Sequence, residues 1–241
     1  MVSPPPLLDS EYMSPFMSYF HPLTRAAADS VAKMFPHLPL GFHVSPNRDS
    51  EAYMARAKDW LDERVKTQGN QSCPSGIGGK LPTRVIAVGD LSTDPYLYEC
   101  TSGETGVWAA LSYCWGPSTS RRFTTTTVSL AQMKKRFRIK DLPRTCRDAI
   151  TAARWLHIPY VWIDSLCIVQ DSQLDWEKES ALMCDVYQNA VVTFAAKDSP
   201  TSDTSLFSPS PSRDFIRLGV DLPDGESGDV FARHQSSEDD F

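Results

Sequence analysis

The residue with the clearest chemical potential is a glutamate on the apolar side of a predicted helix. Over residues 175–189, Trp176, Met183 and Tyr187 form one stripe at 100° per residue, with Ala190 just beyond, and Glu179 falls on that stripe. An unpaired buried carboxylate is costly, so Glu179 must be paired, protonated or placed facing a cavity. Active sites commonly hold carboxylates in such desolvated surroundings, so Glu179 is our candidate catalytic residue.

A structural interpretation of Glu179 stands beside the catalytic one. In that interpretation the carboxylate bonds to a neighbouring backbone amide or to an arginine, with Arg144, Arg147 and Arg154 as the candidates. The sequence favours neither interpretation.

Polar and stacking residues follow the predicted strands at their carboxyl ends, where ligands collect in open parallel sheets. The candidate ligand-binding residues are Ser112, Tyr113, Trp115, Gly116, Asp164, Asp171 and Asp175. Gly116 lets a backbone approach a ligand closely, and Trp115 offers a stacking face. Each of four candidates also has a purely structural interpretation. Trp115 is explained equally by packing in the core, and Asp164 by a helix cap or a turn. Asp171 and Asp175 suit the positive end of a helix dipole.

The cysteines and histidines predict no metal site. The chain has 6 cysteines and 5 histidines, but no Cys-x-x-Cys pair and no histidine cluster. Zinc sites need closely spaced ligand pairs. We therefore expect reduced thiols and no metal.

The elements that must position these side chains alternate along the chain. Short apolar runs predict strands, and one of them, 96–101, is expected to pair with the run before it. The predicted strands are 84–88, 96–101, 107–113, 160–168 and 190–196. The predicted helices are 50–66, 128–137 and 175–189. A further helix is predicted to begin with Thr145 as its N-cap and Asp148 three residues later. This alternation predicts an α/β fold with a three-layer, parallel-sheet core.

Composition divides the chain into three parts. Residues 1–80 are rich in Pro, Ser and His and are expected to form a loosely ordered lead-in with partial helices, one of them near 24–34. Residues 81–207 form the organised domain. Residues 208–241, rich in Ser, Pro, Asp and Gly, are predicted to be a linker or tail, and their abrupt end suggests a fragment of a longer protein.

Charge and hydropathy exclude several classes of protein. With 24 basic and 30 acidic residues the net charge is −6, which argues against nucleic-acid binding. No apolar run approaches the roughly 20 residues that span a bilayer, and the first residues lack the features of a secretory signal. We therefore expect a cytoplasmic protein.

Four ordered motifs resemble a known family. They are Ala-Leu-Ser-Tyr-Cys-Trp-Gly at 110–116, Leu-Pro-Arg-Thr-Cys-Arg-Asp-Ala-Ile at 142–150, Trp-Ile-Asp-Ser-Leu-Cys-Ile-Val-Gln-Asp at 162–171, and the helical segment 175–187. Together they resemble the heterokaryon incompatibility (HET) domain of filamentous fungi, with the resemblance covering residues 81–207. It implies an effector of fungal allorecognition and regulated cell death. The implied partners are further copies of the chain or other incompatibility proteins.

The HET domain is itself similar to Toll/interleukin-1 receptor (TIR) domains, some of which cleave NAD with a glutamate that matches Glu179 by motif position. This analogy implies a TIR-like fold and NAD as a substrate, with no permanently bound cofactor. In that mechanism a carboxylate stabilises the oxocarbenium character that develops on the ribose. The alternative is a non-catalytic module that signals by oligomerising.

Two positions depart from the family pattern. His157 stands where the family usually has Gly before the second strand, and Ser205 replaces the Gly of a closing Gly-Leu-Phe.

Overall fold

The computed structural model describes residues 48–67, 79–117, 123–197 and 199–208, and the backbone of 215–221 and 227–233. Asn47–Ser208 form one compact unit, and the last two strands belong to another. The helix predicted near 24–34 lies outside the described residues, as does Cys73. Among the residues described, none of the helices is both long enough and apolar enough to cross a membrane.

A five-stranded sheet forms the centre of the larger unit. Its strands are β2 (Arg84–Ala87), β3 (Tyr96–Glu99), β5 (Trp108–Ser112), β6 (Tyr160–Trp162) and β7 (Val192–Ala195), in the order β3-β2-β6-β5-β7. A separate short pair joins β1 (Gly79–Lys80) to β4 (Thr105–Gly106). β5 pairs in parallel with β6 and β7, whereas β2 is antiparallel to both β3 and β6.

The expected α/β class is confirmed, but the expected three-layer, parallel-sheet core is not, because the sheet is mixed. Parallel strands need a long crossover, usually helical, and the connections between β5, β6 and β7 contain helices. The connection between β2 and β3 is a short loop without a helix, which allows a hairpin. The predicted pairing of 96–101 with the preceding strand is confirmed.

Helices complete the mixed α/β architecture. They are α1 (Glu51–Thr67), α2 (Leu130–Met133), α3 (Arg144–Trp155), α4 (Asp164–Cys167) and α5 (Gln173–Asn189), with a 3₁₀ turn at Ile139–Asp141. The core lies between the sheet and these helices, where Trp108, Leu111, Ile150, Val161 and Trp162 are fully buried.

The apolar run 160–168 is not one strand. β6 ends at Trp162, and α4 follows, with the amides of Leu166 and Cys167 donating to the Ile163 carbonyl. All of the run except Tyr160 and Asp164 is buried, and an apolar run of this length does not distinguish a buried strand from a buried helical turn.

The predicted capping of α3 by Thr145 is also wrong. The helix begins at Arg144 after Pro143, and the Thr145 hydroxyl instead donates to the Thr204 carbonyl at 2.6 Å. The Asp148 carboxylate accepts from the Ser205 hydroxyl at 2.5 Å and from the Leu206 amide at 3.0 Å. The start of α3 is thus held by a distant segment, and Ser205 contributes a hydroxyl that a glycine would lack.

The segment predicted as a tail contains a hairpin. β8 (Phe215–Asp221) pairs antiparallel with β9 (Ser227–Arg233) over seven residues each. The sequence signal is the alternation of Ile216, Leu218 and Val220 with other residues, a period-two pattern that the Ser- and Pro-rich flanks obscured.

His157 ends α3 in a left-handed backbone conformation, with φ of +57°. The Ile158 amide donates to the Ala153 carbonyl at 2.8 Å, and the His157 amide donates to the Arg154 carbonyl at 3.1 Å. These two bonds form a Schellman motif, in which the residue at the His157 position is usually glycine. The departure from the family pattern therefore places a side chain where the backbone disfavours one.

We expect His157→Gly to stabilise the fold by about 0.5–1 kcal/mol, because relief of the left-handed strain exceeds the entropy that glycine adds to the unfolded chain. His157 is exposed, so little packing is lost. His157→Ala is the control, since alanine keeps the strain. Urea unfolding measures both, and equal stability of the two variants would contradict the prediction.

Candidate functional site

Five of the eight predicted site residues lie at the carboxyl ends of β5 and β6, as expected. Three of them belong to a group that we call the Tyr113–Asp164 cluster, defined by Tyr113, Trp115, Asp164 and Ser165. The Tyr113 hydroxyl donates to Ser165 Oγ at 2.8 Å, and Trp115 Nε1 donates to Asp164 Oδ2 at 2.8 Å. The Ser165 amide donates to Asp164 Oδ1 at 2.6 Å. The cluster ties the segment after β5 to the start of α4.

Burial governs the protonation of this cluster. It raises the pKa of Asp164, and the hydrogen bonds from Trp115 and from the Ser165 amide offset this only in part. Burial also raises the pKa of the Tyr113 hydroxyl and brings that of the neighbouring Cys146 thiol to about 12. Tyr113 and Cys146 are therefore neutral at pH 7.

The other two residues at this end have backbone roles. Ser112 is the exposed last residue of β5, and its carbonyl accepts from the Ala196 amide at 2.9 Å. Gly116 has φ of +82°, and a Cβ added there would meet the Thr201 side chain at 3.1 Å. Gly116 thus lets the backbone approach Thr201 closely. This contact within the domain explains the glycine without a bound ligand.

A second group surrounds a buried arginine on β2. This Arg84 cluster comprises Arg84, Asp175, Glu179 and Lys178. Arg84 Nε donates to the Cys167 carbonyl at 2.7 Å, at the end of α4, and its guanidinium forms an ion pair with Asp175. Asp175 Oδ2 also accepts from the Val169 amide at 2.8 Å. One side chain thereby joins β2, the end of α4 and the first turn of α5.

Glu179 lies next to the Arg84–Asp175 ion pair. It is 2 % exposed; its Oε1 is 4.0 Å from the Arg84 guanidinium and 3.3 Å from Lys178 Nζ. Neither approach has hydrogen-bond geometry, so Oε1 is a buried acceptor without a hydrogen-bond partner. The carboxylate turns inward as predicted, but its nearest guanidinium is that of Arg84. Of the arginines that the sequence suggested, Arg154 donates instead to the carbonyls of Val88 and Thr93.

The stripe that Glu179 shares is not uniformly buried. Glu179 and Val186 are the buried residues of α5, Met183 and Tyr187 are half-buried, and Trp176 is 54 % exposed. The buried face of α5 therefore centres on Glu179 and Val186 and not on Trp176.

The ionisation of Asp175 follows from its partners. Burial is the largest single effect and would raise its pKa, but the bonds from Arg84 and the Val169 amide, with the charges of Arg84 and Lys178, outweigh it and lower the pKa. Asp175 is therefore a permanent anion at neutral pH. Its role in this structure is that of a counter-ion.

Asp171 belongs to neither cluster. Its carboxylate accepts from the Thr127 amide and the Thr127 hydroxyl, both at 2.7 Å, and these bonds lower its pKa. These hydrogen bonds connect the loop before α2 to the segment that leads into α5.

Sequence reasoning missed Arg84. Arg84 stands directly before the apolar run 85–88, and a charged residue that begins a fully buried strand needs a counter-ion. That requirement could have paired it with an acidic residue elsewhere. The sequence places Ser165 beside Asp164 at or near the end of a predicted strand, but Ser165 was not among the candidate site residues.

The family model described as heterokaryon incompatibility protein (HET) matches residues 108–237, which is more than half of the chain. The chain belongs to the HET family. No curated protein and no solved structure matches it. The HET match includes every predicted site residue, but it begins after Arg84. Its HET domain indicates a function related to heterokaryon incompatibility.

We expect Arg84→Met to destabilise the HET protein by about 3–5 kcal/mol, because Asp175 and Glu179 would lose the guanidinium beside them. Lys134→Met is the matched control, since it removes the cation of the partly exposed ion pair with Glu99 and should cost less than about 1 kcal/mol. Equal costs in denaturant unfolding would show that the Arg84 cluster is not a structural centre.

The raised pKa of Asp164 predicts a pH effect. The folded state holds its proton more tightly than the unfolded state, so this group's contribution to stability falls as the pH rises from about 4 through the raised pKa. Asp164→Asn cannot titrate. The free energy of unfolding of the wild type minus that of Asp164→Asn should therefore decrease across this interval and stay constant above it. An increase would contradict the assignment.

Proposed function

We propose that this HET protein is a cytoplasmic effector of fungal allorecognition that triggers regulated cell death as a non-catalytic interaction module. The observation that carries the proposal is the placement of Glu179, buried within 4.0 Å of a guanidinium that Asp175 already engages. A carboxylate enclosed beside this ion pair does not reach a substrate unless α5 moves. The remaining acidic candidates, Asp164 and Asp171, also accept hydrogen bonds from within the domain.

Exposed apolar side chains support an interaction role. Leu174 is 82 % exposed, and Trp176 is 54 % exposed two residues later on the same helix. Large aromatic side chains are enriched at protein interfaces. We propose that this end of α5 contacts another copy of the chain or a second incompatibility protein.

One observation favours a second function, TIR-like NAD cleavage. Glu179 Oε1 is buried without a hydrogen-bond partner. Such a group costs free energy, and a catalytic role is one reason why a protein retains it. In this mechanism the bond between the ribose C1′ and the nicotinamide nitrogen breaks, and its electron pair leaves with nicotinamide. Water then adds to C1′ and releases a proton. The Glu179 carboxylate would stabilise the positive charge on the ribose, provided that α5 moved to admit the substrate.

Expression in a filamentous fungus separates the two functions. The variants are Glu179→Gln and Trp176→Glu, with Glu177→Gln as the control because Glu177 is an exposed neighbour. We expect the wild type to kill without lowering cellular NAD, and Trp176→Glu to abolish killing with an unchanged melting temperature, because it places a charge on the proposed contact.

The enzymatic function makes the opposite prediction. NAD would fall before cells die, and Glu179→Gln would abolish both effects while Glu177→Gln and the melting temperatures stayed unchanged. That result would overturn the interaction module.

A further inference from the structure

A cleft of about 530 Å³ runs beside α5, between the helix and the connections that flank β1 and β4. One wall is Lys80–Thr83, the second is Cys100–Ser102, and the third is α5 from Lys178 to Asn189. This volume lies within the roughly 300–1,000 Å³ of small-molecule sites. None of the eight residues that the sequence singled out lines it, and neither does Arg84.

The inner surface of the cleft is apolar. Leu81, Trp108 and Val186 are buried and line it, and Leu182, which is 39 % exposed, also lines it. Trp108 Nε1 donates to the Val186 carbonyl at 3.2 Å, so the polar atom of the indole is already engaged. What remains for a ligand is a hydrocarbon surface that suits an apolar or aromatic group.

The rim of the cleft is charged, with an excess of cations. Lys80 and Lys178 contribute two ammonium groups, against the single carboxylate of Asp185. Lys178 Nζ donates to Thr83 Oγ1 at 3.4 Å and lies 3.3 Å from Glu179 Oε1, so the ammonium lies between α5 and the Lys80–Thr83 wall. Thr101 and Ser102 also line the cleft, and the Thr101 hydroxyl donates to Glu104 Oε2 at 3.0 Å. Ammonium groups and hydroxyls together are the usual partners of phosphate and carboxylate oxygens.

The Cys100 thiol takes no covalent part. Burial is the main cause that raises its pKa to about 11, with contributions from the charges of Glu104 and Glu99. The thiolate that nucleophilic attack requires is therefore scarce at pH 7. Cys100 contributes to the wall of the cleft as a small apolar side chain.

From the shape and charge of these walls we propose that the cleft reversibly binds a small organic anion, with its apolar group against Leu81 and Trp108 and its phosphate or carboxylate between Lys80 and Lys178. The site shares Lys178 with the Arg84 cluster. It involves no reaction and does not use Trp176, so it does not rest on the death-signalling mechanism proposed above.

Calorimetric titration of the full chain tests the site with phenyl phosphate, benzoate, phenol and inorganic phosphate as probes. We expect phenyl phosphate or benzoate to bind with a Kd of about 1 mM or tighter, and phenol and inorganic phosphate at least about tenfold more weakly, since each lacks one of the two contacts. The preferred anion identifies the acidic group. The proposal is overturned if neither phenyl phosphate nor benzoate binds saturably, or if phenol binds as tightly as the organic anions.

Two pairs of variants locate the binding. Lys178→Gln should weaken it about tenfold or more, whereas Lys135→Gln, an exposed lysine outside the cleft, should not. Leu182→Glu places a carboxylate at the mouth of the cleft and should weaken binding similarly, whereas Leu174→Glu adds the same charge on the same helix away from the cleft. Both helix positions are exposed, so the fold tolerates the change. Equal affinities within each pair would place the ligand elsewhere and overturn the proposal.

Discussion

The positive charge of Arg84 is buried at the start of β2, and much of the domain is arranged around it. A buried guanidinium is tolerated only when acceptors surround it. Here the acceptors come from three places in the chain: the Cys167 carbonyl, the Asp175 carboxylate and, at longer range, Glu179. Satisfying one charge therefore fixes α4 and the first turns of α5 against the sheet. The same requirement places Asp175 and Glu179 on the inward side of α5.

The Tyr113–Asp164 cluster complements this arrangement at the carboxyl ends of β5 and β6. It binds the segment after β5 to the first residues of α4, while Arg84 binds the last residue of α4 to β2. The motifs that identify the HET family thus contain many of the hydrogen-bonding residues of the fold. A motif residue in such a structure is first a positioning residue, and a catalytic role requires that its polar atoms be available to a substrate. Glu179 Oε1 meets that condition in part, because it lacks a hydrogen-bond partner but is enclosed.

Local patterns in the sequence predicted a good part of the fold. The apolar runs located β2, β3, β5 and β7, and helical periodicity located α3 and α5, because backbone preference and burial act over a few neighbouring residues. The Gly-to-His departure at residue 157 coincides with a positive φ, which shows that a single position in a motif reports backbone geometry. The same patterns failed for 160–168 and for the hairpin at 215–233. In the first segment nearly continuous burial, and in the second Pro-rich flanks, removed the contrast between apolar and polar positions on which periodicity depends.

The sequence by itself determined membership of the HET family, the α/β class and the inward direction of Glu179, since these depend on residue order and helical geometry. Only the tertiary structure decided that the sheet is mixed, that Arg84 is the guanidinium facing Glu179, and that Thr145 and Asp148 bond to residues 204–206 instead of capping their own helix. The physical reason is the same in each case. A hydrogen bond or an ion pair between residues more than fifty positions apart produces no periodic pattern in the sequence. Each of the two residues is compatible with its own local secondary structure whether or not the other is present.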